Sequence, residues 1–220
     1  GHEIVGKVTK VGNEVTKLKV GDFAAVGCLV DSCKTCDNCK QDLEQYCSNG
    51  WIGTYNGEDK HLGGMTFGGY SENIVVDEDF VLKVPANLDL AATAPLLCAG
   101  ITTWSPLRHW KVGKGSKVAV VGLGGLGHMA IKLAKGLGAE VTLFSRTPDN
   151  EKDAFELGAD AVVISTDENH MNAVNGKFDL IIDTVPYVHD FNPYVGTLNT
   201  NGTLVLGGYL DRLKPILNTV

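Results

Sequence analysis

A glycine-rich turn at residues 122–127 constrains the fold of this chain more than any other segment. Its sequence, Gly-Leu-Gly-Gly-Leu-Gly, matches the pattern G-x-G-x-x-G. The apolar run Val118–Val121 comes directly before the turn, and the apolar residues behind it recur at the spacing of one helix face, up to Gly138. A strand, such a turn and an amphipathic helix in succession indicate a dinucleotide-binding fold. A glycine-rich turn that binds no ligand is the alternative that fits the pattern when it stands alone.

The residues after this turn are predicted to alternate between helices and strands. We predict a helix near Asn150–Leu157 and strands at Val141–Phe144, Ala161–Ile164, Leu180–Asp183 and Thr203–Leu206. Strands that alternate with helices form a parallel sheet with right-handed crossovers. The fold class that we predict for this part of the chain is therefore α/β.

The turn is expected to hold the pyrophosphate of a dinucleotide. Gly122 would permit the tight turn, Gly124 would let backbone amides approach the phosphates, and Gly127 would let the helix pack closely on the strand. The N-terminus of the helix adds unsatisfied N–H groups and the positive end of its dipole. The predicted cofactor-binding residues of the turn are Gly122, Leu123, Gly124, Gly125, Leu126 and Gly127.

The end of the second predicted strand distinguishes NAD from NADP. A NAD site carries an acidic residue there, which binds the ribose 2′-hydroxyl. Glu140 lies 18 residues after Gly122, but it precedes the strand and therefore belongs to the wrong edge of the sheet. The strand is followed instead by Ser145 and Arg146, a hydroxyl and a guanidinium that suit a 2′-phosphate. The sequence favours NADP, and an Arg146 side chain that is merely solvated is the alternative.

The residues before about Asn87 have a different character, with short β segments between Gly, Asn and Asp turns. A possible helix at Leu88–Trp110 separates them from the glycine-rich turn. We therefore predict a β-rich domain at residues 1–87 and a dinucleotide-binding domain at residues 88–220. The strands predicted in the first domain are Glu3–Val8, Phe23–Val30, Ser71–Val76 and Val81–Val84.

Four cysteines within 15 residues form a second chemical signature, with the spacing Cys33-x₂-Cys36-x₂-Cys39-x₇-Cys47. Structural zinc takes four ligands in a tetrahedron, and short spacings let one loop wrap the ion. An iron–sulfur cluster is the main alternative, but the proline that usually ends such runs is replaced by Ser48. We predict structural zinc in a lobe at residues 28–47. Cys28 lies outside the spacing and is predicted to be a small buried apolar residue.

Composition excludes several classes of function. The chain has 19 Lys and Arg against 26 Asp and Glu, a net charge of −7, which disfavours a nucleic-acid partner. We expect no membrane partner, because no apolar run approaches the roughly 18 residues of a membrane span and no signal segment begins the chain. Clustered cysteines are typical of metal thiolates in a reducing compartment, so we predict a cytoplasmic location.

The cysteine lobe, the dinucleotide fold and Gly1-His2-Glu3 before a strand together resemble the zinc-dependent medium-chain alcohol dehydrogenases. Within that family the likeness is to the NADP-dependent cinnamyl alcohol dehydrogenases and their bacterial aldehyde-reductase relatives. It extends through essentially all 220 residues. The resemblance implies a Rossmann dinucleotide-binding domain and a β-rich GroES-like catalytic domain that carries the structural-zinc lobe. The segments that carry it are Val26–Cys47, Gly68–Glu72, Pro95–Thr102 and Gly122–Gly127.

The same resemblance implies a catalytic zinc with His2 and Cys98 as ligands and with Glu3 beside the metal or exchanging with a ligand. Thr102, one helical turn after Cys98, would lie beside the nicotinamide and take part in catalysis. A surface histidine and a buried helix cysteine are the alternatives for the two ligands. The resemblance also implies nicotinamide contacts for Val185, Gly207 and Gly208.

The implied activity is hydride transfer between NADP(H) and a primary alcohol or aldehyde, aryl or aliphatic, in a homodimer or homotetramer. Family members have a further zinc-binding cysteine upstream of Gly-His-Glu and continue past the fifth cofactor strand. The chain therefore resembles an interior portion of such an enzyme, and we expect residues 1–220 alone to reduce aldehydes negligibly. The alternatives are a fragment that binds zinc and NADP(H) without turnover, and a zinc-free quinone reductase of the same superfamily.

Overall fold

The computed structural model describes residues 1–60 and 63–208, which fall into two compact units. The first unit is Gly1–Cys98, and the second begins at Ala99. Among the described residues, no single helix is long and apolar enough to cross a membrane. The short helices at Leu90–Leu97 and Ala99–His109 pass that test of length and composition only as a pair.

The first unit is built from short antiparallel strands. Its three-stranded sheet has the order β1-β2-β7, in which Ile4 pairs with Val26 and Val26 with Val81. Two further pairs, β3 with β4 and β5 with β6, are also antiparallel. The strands are β1 (Ile4–Lys7), β2 (Phe23–Val26), β3 (Leu29–Asp31), β4 (Ile52–Gly53), β5 (Tyr55–Glu58), β6 (Met65–Phe67) and β7 (Val81–Lys83).

Two strand predictions in this unit are corrected by the structure. The predicted strand Ser71–Val76 has no regular secondary structure, and its Val75 is 95% exposed. Its β-branched residues are not covered by a core, so their strand propensity is not supported by packing. The predicted strand Phe23–Val30 is interrupted at Gly27, where a Cβ atom would lie 3.0 Å from the backbone oxygen of Leu97.

The predicted helix Leu88–Trp110 is also interrupted. It consists of α1 (Leu90–Thr93), a 3₁₀ turn at Ala94–Leu97 and α2 (Ala99–His109). Pro95 lacks the N–H group that would continue α1. Cys98 follows the turn with φ −131° and ψ −73°, outside the helical region. Cys98 is therefore not one turn before Thr102 in a continuous helix, as the sequence had led us to expect.

The second unit contains the predicted parallel sheet. Its strand order is β10-β9-β8-β11-β12, and every neighbouring pair is parallel. This order confirms the α/β class and the four strands predicted after the glycine-rich turn. The elements after α2 are β8 (Lys117–Val121), α3 (Gly125–Gly136), β9 (Glu140–Ser145), α4 (Glu151–Leu157), β10 (Ala161–Ile164), α5 (Glu168–Asn172), β11 (Phe178–Asp183), α6 (Asn192–Val195) and β12 (Leu198–Leu206).

Both faces of this sheet are buried, which explains its continuous apolar runs. On one face Val118 and Val120 of β8 join the core formed with Ala130 and Ile131 of α3. On the other face the alternating residues of β8 pack with an aromatic group, in which the ring centroids of Phe144 and Phe178 lie 5.4 Å apart. The sheet therefore fixes the carboxyl ends of its strands, where the glycine-rich turn and the predicted cofactor contacts lie.

Candidate functional site

The cysteine lobe brings four sulfur atoms together. The Sγ atoms of its cysteines lie within 4.8 Å of one another. The loop can turn tightly around them because Lys34 and Asp42 adopt left-handed backbone conformations, with φ of +56° and +59°. The four residues are Cys33, Cys36, Cys39 and Cys47, the set that the sequence spacing predicted.

Backbone N–H groups of the lobe point at these sulfur atoms. The N–H of Cys36 donates to Cys33 Sγ at 3.4 Å, and the N–H of Cys33 donates to Cys47 Sγ at 3.5 Å. The N–H of Ser48 donates to Cys36 Sγ, also at 3.5 Å. Such bonds stabilise the thiolate form, which is the form that binds metal.

The pKa values of the cysteines indicate that the lobe needs a bound cation. Hydrogen bonds from the backbone of Thr35 and Cys36 lower the pKa of Cys33 to about 5. The hydrogen bond with the Ser32 hydroxyl lowers the pKa of Cys39, but burial and the neighbouring thiols raise it to about 11. Four adjacent thiolates repel one another, so they coexist only around a cation. The donor set and its geometry fit a structural zinc ion.

A second group of metal-ligand atoms lies in the same unit. His2, Cys28 and Cys98 each offer one donor atom, and the three atoms lie within 4.8 Å of one another. The resemblance had implied His2 and Cys98 but not Cys28. The prediction that Cys28 is a buried apolar residue is wrong, because Cys28 is not buried and its Sγ joins this group. The group as described contains no carboxylate, so the Glu3 side chain lies outside it.

Contacts with Tyr55 of β5 and with Thr54, the residue before it, position this second group. The His2 ring stacks on the Tyr55 ring with centroids 5.3 Å apart and planes 9° apart. The neighbouring Thr54 donates its N–H to the Cys28 carbonyl oxygen at 3.0 Å and its hydroxyl to the Gly27 carbonyl oxygen. Thr54 is 1% exposed, so the backbone around Cys28 is held by a buried side chain.

Cys98 is half-buried in this group. Burial, together with the adjacent Cys28 and the negative charge of Glu3, raises the pKa of its thiol to about 12. Two neighbouring thiolates are therefore unfavourable here without a cation. Bound metal would supply the positive charge that lets them ionise.

The glycine-rich turn has the geometry that a bound pyrophosphate requires. Gly122 has φ +85°, and a Cβ on Gly127 would lie 2.2 Å from the Gly122 carbonyl oxygen, so both positions require glycine. Gly124 precedes the first residue of α3, and a Cβ on Gly124 or Gly125 would meet open space. The open side of the turn thus lies at the N-terminus of a 12-residue helix, where N–H groups are unsatisfied.

The predicted nicotinamide-side residues gather at the carboxyl end of β11. A Cβ built on Gly122 would lie 3.1 Å from the Val185 side chain. Gly207 and Gly208 follow β12, and their N–H groups donate to the Asp183 carbonyl oxygen at 2.8 and 3.2 Å. A Cβ on Gly207 would lie 3.9 Å from the Thr102 methyl group, so Thr102 faces the same region.

A buried acid that the sequence did not single out fixes this arrangement. Asp183 is 2% exposed, accepts the Val185 N–H at 2.9 Å and lies 2.7 Å from His189 Nε2. The pKa of Asp183 is raised above its ordinary value, because the effect of burial exceeds the opposing effect of the hydrogen bonds from Val185 and His189. A strand-ending aspartate is too common a feature to have indicated this role from sequence.

Ser145 and Arg146, the residues predicted to distinguish NADP from NAD, differ in their exposure. Ser145 is 4% exposed, and its hydroxyl donates to the Thr147 carbonyl oxygen at 2.7 Å, so it shapes the loop after β9. Arg146 is exposed at the carboxyl end of β9. Glu140 begins β9 and lies 3.2 Å from Lys177, at the opposite edge of the sheet, as its position in the sequence indicated.

Two family models match the chain. Residues 1–86 match the alcohol dehydrogenase GroES-like domain, and residues 125–219 match the zinc-binding dehydrogenase domain. The chain is 56% identical over 206 residues to a Mycolicibacterium smegmatis protein named NADP-dependent alcohol dehydrogenase C 1, covering 93% of this chain and 59% of that protein. It is 48% identical over 214 residues to probable cinnamyl alcohol dehydrogenase 6 of Arabidopsis thaliana, covering 96% and 58%.

Solved structures show the same likeness. A cinnamyl alcohol dehydrogenase from Sorghum bicolor superimposes with a TM-score of 0.90 at 46% identity, covering 93% of this chain and 58% of that one. The Helicobacter pylori enzyme CAD, solved in complex with NADP(H), gives a TM-score of 0.86 at 45% identity, covering 93% and 57%. The chain thus spans less than two thirds of the length of each of these relatives.

Proposed function

The chain belongs to the zinc-binding alcohol dehydrogenases with a GroES-like domain, and on this premise we propose that it serves a zinc-dependent, NADP-linked alcohol dehydrogenase or aldehyde reductase. The observation that carries this proposal is the convergence of the His2 and Cys98 donor atoms. These two residues are 96 positions apart in sequence, so the tertiary fold and not local spacing brings their donor atoms together. The substrate class is a small primary alcohol or aldehyde.

The proposed roles belong to the His2 and Cys98 group, which would bind the metal, and to the residues that would contact the nicotinamide. When bound, zinc would polarise the substrate oxygen as a Lewis acid, and NADP(H) would carry the hydride. His2 and Cys98 would hold the metal through the imidazole nitrogen and the thiolate. Glu3 lies outside the donor group and contributes negative charge close to Cys98. Thr102, Val185, Gly207 and Gly208 form the surface that positions the nicotinamide.

The preference for NADP is assigned to the loop after β9. No acidic side chain follows this strand until Asp149, so a 2′-phosphate meets no carboxylate at the strand end. Arg146 is exposed there and is the proposed phosphate partner. Ser145 supports the loop, since its hydroxyl is bonded to the Thr147 backbone. Two of the relatives support this preference, one named NADP-dependent and one solved with NADP(H).

The four-cysteine lobe is assigned structural zinc, which would stabilise the fold rather than take part in the reaction. A zinc-free quinone reductase is disfavoured, because an enzyme without zinc would bind no metal at the two groups of thiol donors. A form that binds zinc and NADP(H) without turnover is the remaining alternative. The cytoplasmic location and the homodimer or homotetramer stay predictions.

The test is NADPH-linked reduction of cinnamaldehyde and benzaldehyde by the protein that contains this chain. We expect turnover that a zinc chelator removes, that NADH supports less well, and that His2→Ala abolishes. The matched control is His109→Ala, because His109 belongs to the end of α2 and not to the donor group. Turnover that survives both the chelator and His2→Ala would contradict the proposal, as would NADPH binding without any reduction.

A further inference from the structure

The loop that follows β11, residues 184–191, has no regular secondary structure and carries Val185, one of the proposed nicotinamide contacts. Its His189 lies back against Asp183, the last residue of β11. We propose that His189 is a positioning residue, whose imidazole fixes this loop and thereby places Val185 beside the nicotinamide. The inference rests on the proposed function for the identity of the cofactor.

Both ring nitrogens of His189 are hydrogen-bonded. Nε2 lies 2.7 Å from Asp183 Oδ2, and Nδ1 lies 2.8 Å from the Tyr187 carbonyl oxygen. A carbonyl oxygen only accepts, so Nδ1 carries a proton, and a second proton lies between Nε2 and the carboxyl group. The imidazole therefore connects the end of the strand to the middle of the loop.

Aromatic side chains hold the imidazole from another direction. Its centroid lies 4.6 Å from that of the Phe191 ring and 6.1 Å from that of the Tyr194 ring, both in edge-on geometry. Phe191 and Tyr194 are buried, so neither ring can move away freely. The His189 side chain is itself only 21% exposed. The imidazole is thus held in one orientation, with a nitrogen directed at each of its two partners.

The carboxyl group of Asp183 passes this constraint to Val185. Its Oδ2 is bonded to His189, while its Oδ1 accepts the Val185 N–H at 2.9 Å. The Val185 side chain lies against the glycine-rich turn, since a Cβ on Gly122 would lie 3.1 Å from it. A buried carboxyl group that loses a hydrogen-bond partner is destabilised. Without His189, the Asp183 side chain would rotate or take up a proton, and either change would weaken its hold on Val185.

Binding of two ligands by the protein that contains this chain tests the assignment without any turnover. NADPH carries the nicotinamide, whereas 2′-phospho-ADP-ribose has the same adenosine, 2′-phosphate and pyrophosphate groups without it. His189→Ala should weaken NADPH binding by about tenfold, the scale of a lost hydrogen bond to a charged group, and leave the affinity for 2′-phospho-ADP-ribose unchanged. Isothermal titration calorimetry measures both affinities. His170→Ala, at an exposed histidine of α5, is the matched control and should change neither.

Two further variants test the hydrogen bond itself. His189→Gln keeps an N–H donor within reach of Asp183 and should retain most of the NADPH affinity, whereas the shorter His189→Asn should bind NADPH as weakly as His189→Ala. NMR of the cofactor-free protein labelled with nitrogen-15 histidine gives an independent signature. We expect a ring N–H resonance that exchanges slowly with solvent and that is absent from His189→Gln.

Three results would overturn the assignment. They are an equal loss of affinity for both ligands, an unchanged NADPH affinity in His189→Ala and His189→Asn, and the absence of the slowly exchanging ring N–H resonance. Aldehyde reduction that fails although both ligands bind as expected would instead count against the proposed function alone.

Discussion

The His2 ring lies parallel to the Tyr55 ring, with centroids 5.3 Å apart and planes 9° apart. His2 is close to the start of the described chain, and this stacking gives its imidazole one orientation toward Cys28 and Cys98. Contacts that orient a metal-binding histidine usually change metal affinity when they are removed. Tyr55 therefore belongs to the support of the site, although it carries no metal-binding atom that the cluster uses.

Tyr55→Ala should weaken metal binding at the His2 group by about 10- to 100-fold, because the imidazole loses its fixed orientation. Tyr55→Phe is the matched control, since it keeps the stacked ring and should bind metal as the unmodified protein does. Competition with a chromophoric zinc chelator measures both variants. Equal affinities for Tyr55→Ala and the unmodified protein would show that the stacking does not orient His2.

Cys39→Ser should release one zinc ion and unfold the lobe, because the binding energy of structural zinc is also folding energy. Cys39 is 6% exposed, so the vacated position cannot be filled easily by solvent. Elemental analysis together with limited proteolysis measures the outcome. Iron in the unmodified protein, or full zinc content in the variant, would contradict the structural-zinc assignment.

Gly127→Ala and Gly124→Ala should separate folding from cofactor binding. A Cβ on Gly127 would lie 2.2 Å from the Gly122 carbonyl oxygen, so this variant should lower the thermal midpoint by several degrees. Gly124 has φ −99° and open space around it, so its variant should fold normally but bind NADPH more weakly. Thermal unfolding and fluorescence titration give the two readings. Normal NADPH affinity in Gly124→Ala would argue against phosphate contact at this turn.

Arg146→Ala should weaken NADPH binding by about tenfold or more and leave NADH binding nearly unchanged. A hydrogen bond to a charged group contributes roughly 1.5–3 kcal/mol, and only NADPH carries the 2′-phosphate that would accept it. Lys152→Ala, which removes an 84% exposed cation in the neighbouring helix α4, serves as the control for general charge effects. An equal loss of NADPH affinity in both variants would attribute the effect to net charge.

Asp160→Asn should destabilise the second unit at neutral pH by about 0.5–1 kcal/mol, an estimate kept small because the ion pair is partly exposed. The hydrogen bond from Lys135 and the N–H of Val141 hold the pKa of Asp160 below its ordinary value of 3.8. Because the folded-state pKa is depressed, this stability is present above pH 3.8 and is lost as the pH falls through the folded-state pKa. Denaturant unfolding of both proteins between pH 3 and 7 should show their difference narrow toward the acidic end. A constant difference would mean that Asp160 acts by shape alone.

The sequence was most informative where function depends on residues that are close in the chain. The spacing of Cys33, Cys36, Cys39 and Cys47 predicted one cluster because a single loop of 15 residues can place four ligands around one ion. The sequence also predicted the glycine-rich turn that begins at Gly122, because the strand before it and the helix after it have distinct apolar periods. The strand predicted at Ser71–Val76 failed because propensity was its only support.

What the sequence determined by itself is the parallel α/β unit, the cysteine lobe and the glycine turn, each a pattern contained within a short stretch of chain. Only the tertiary structure showed that Cys28 lies outside the strand predicted for it, with its Sγ close to the donor atoms of His2 and Cys98. Patterns within one segment reflect backbone periodicity and the closure of short loops. The proximity of Cys28 to His2 and Cys98 depends instead on the packing of Gly27 against Leu97 and on the hydrogen bonds of Thr54. Such contacts join residues tens of positions apart, and no periodicity within a single segment records them.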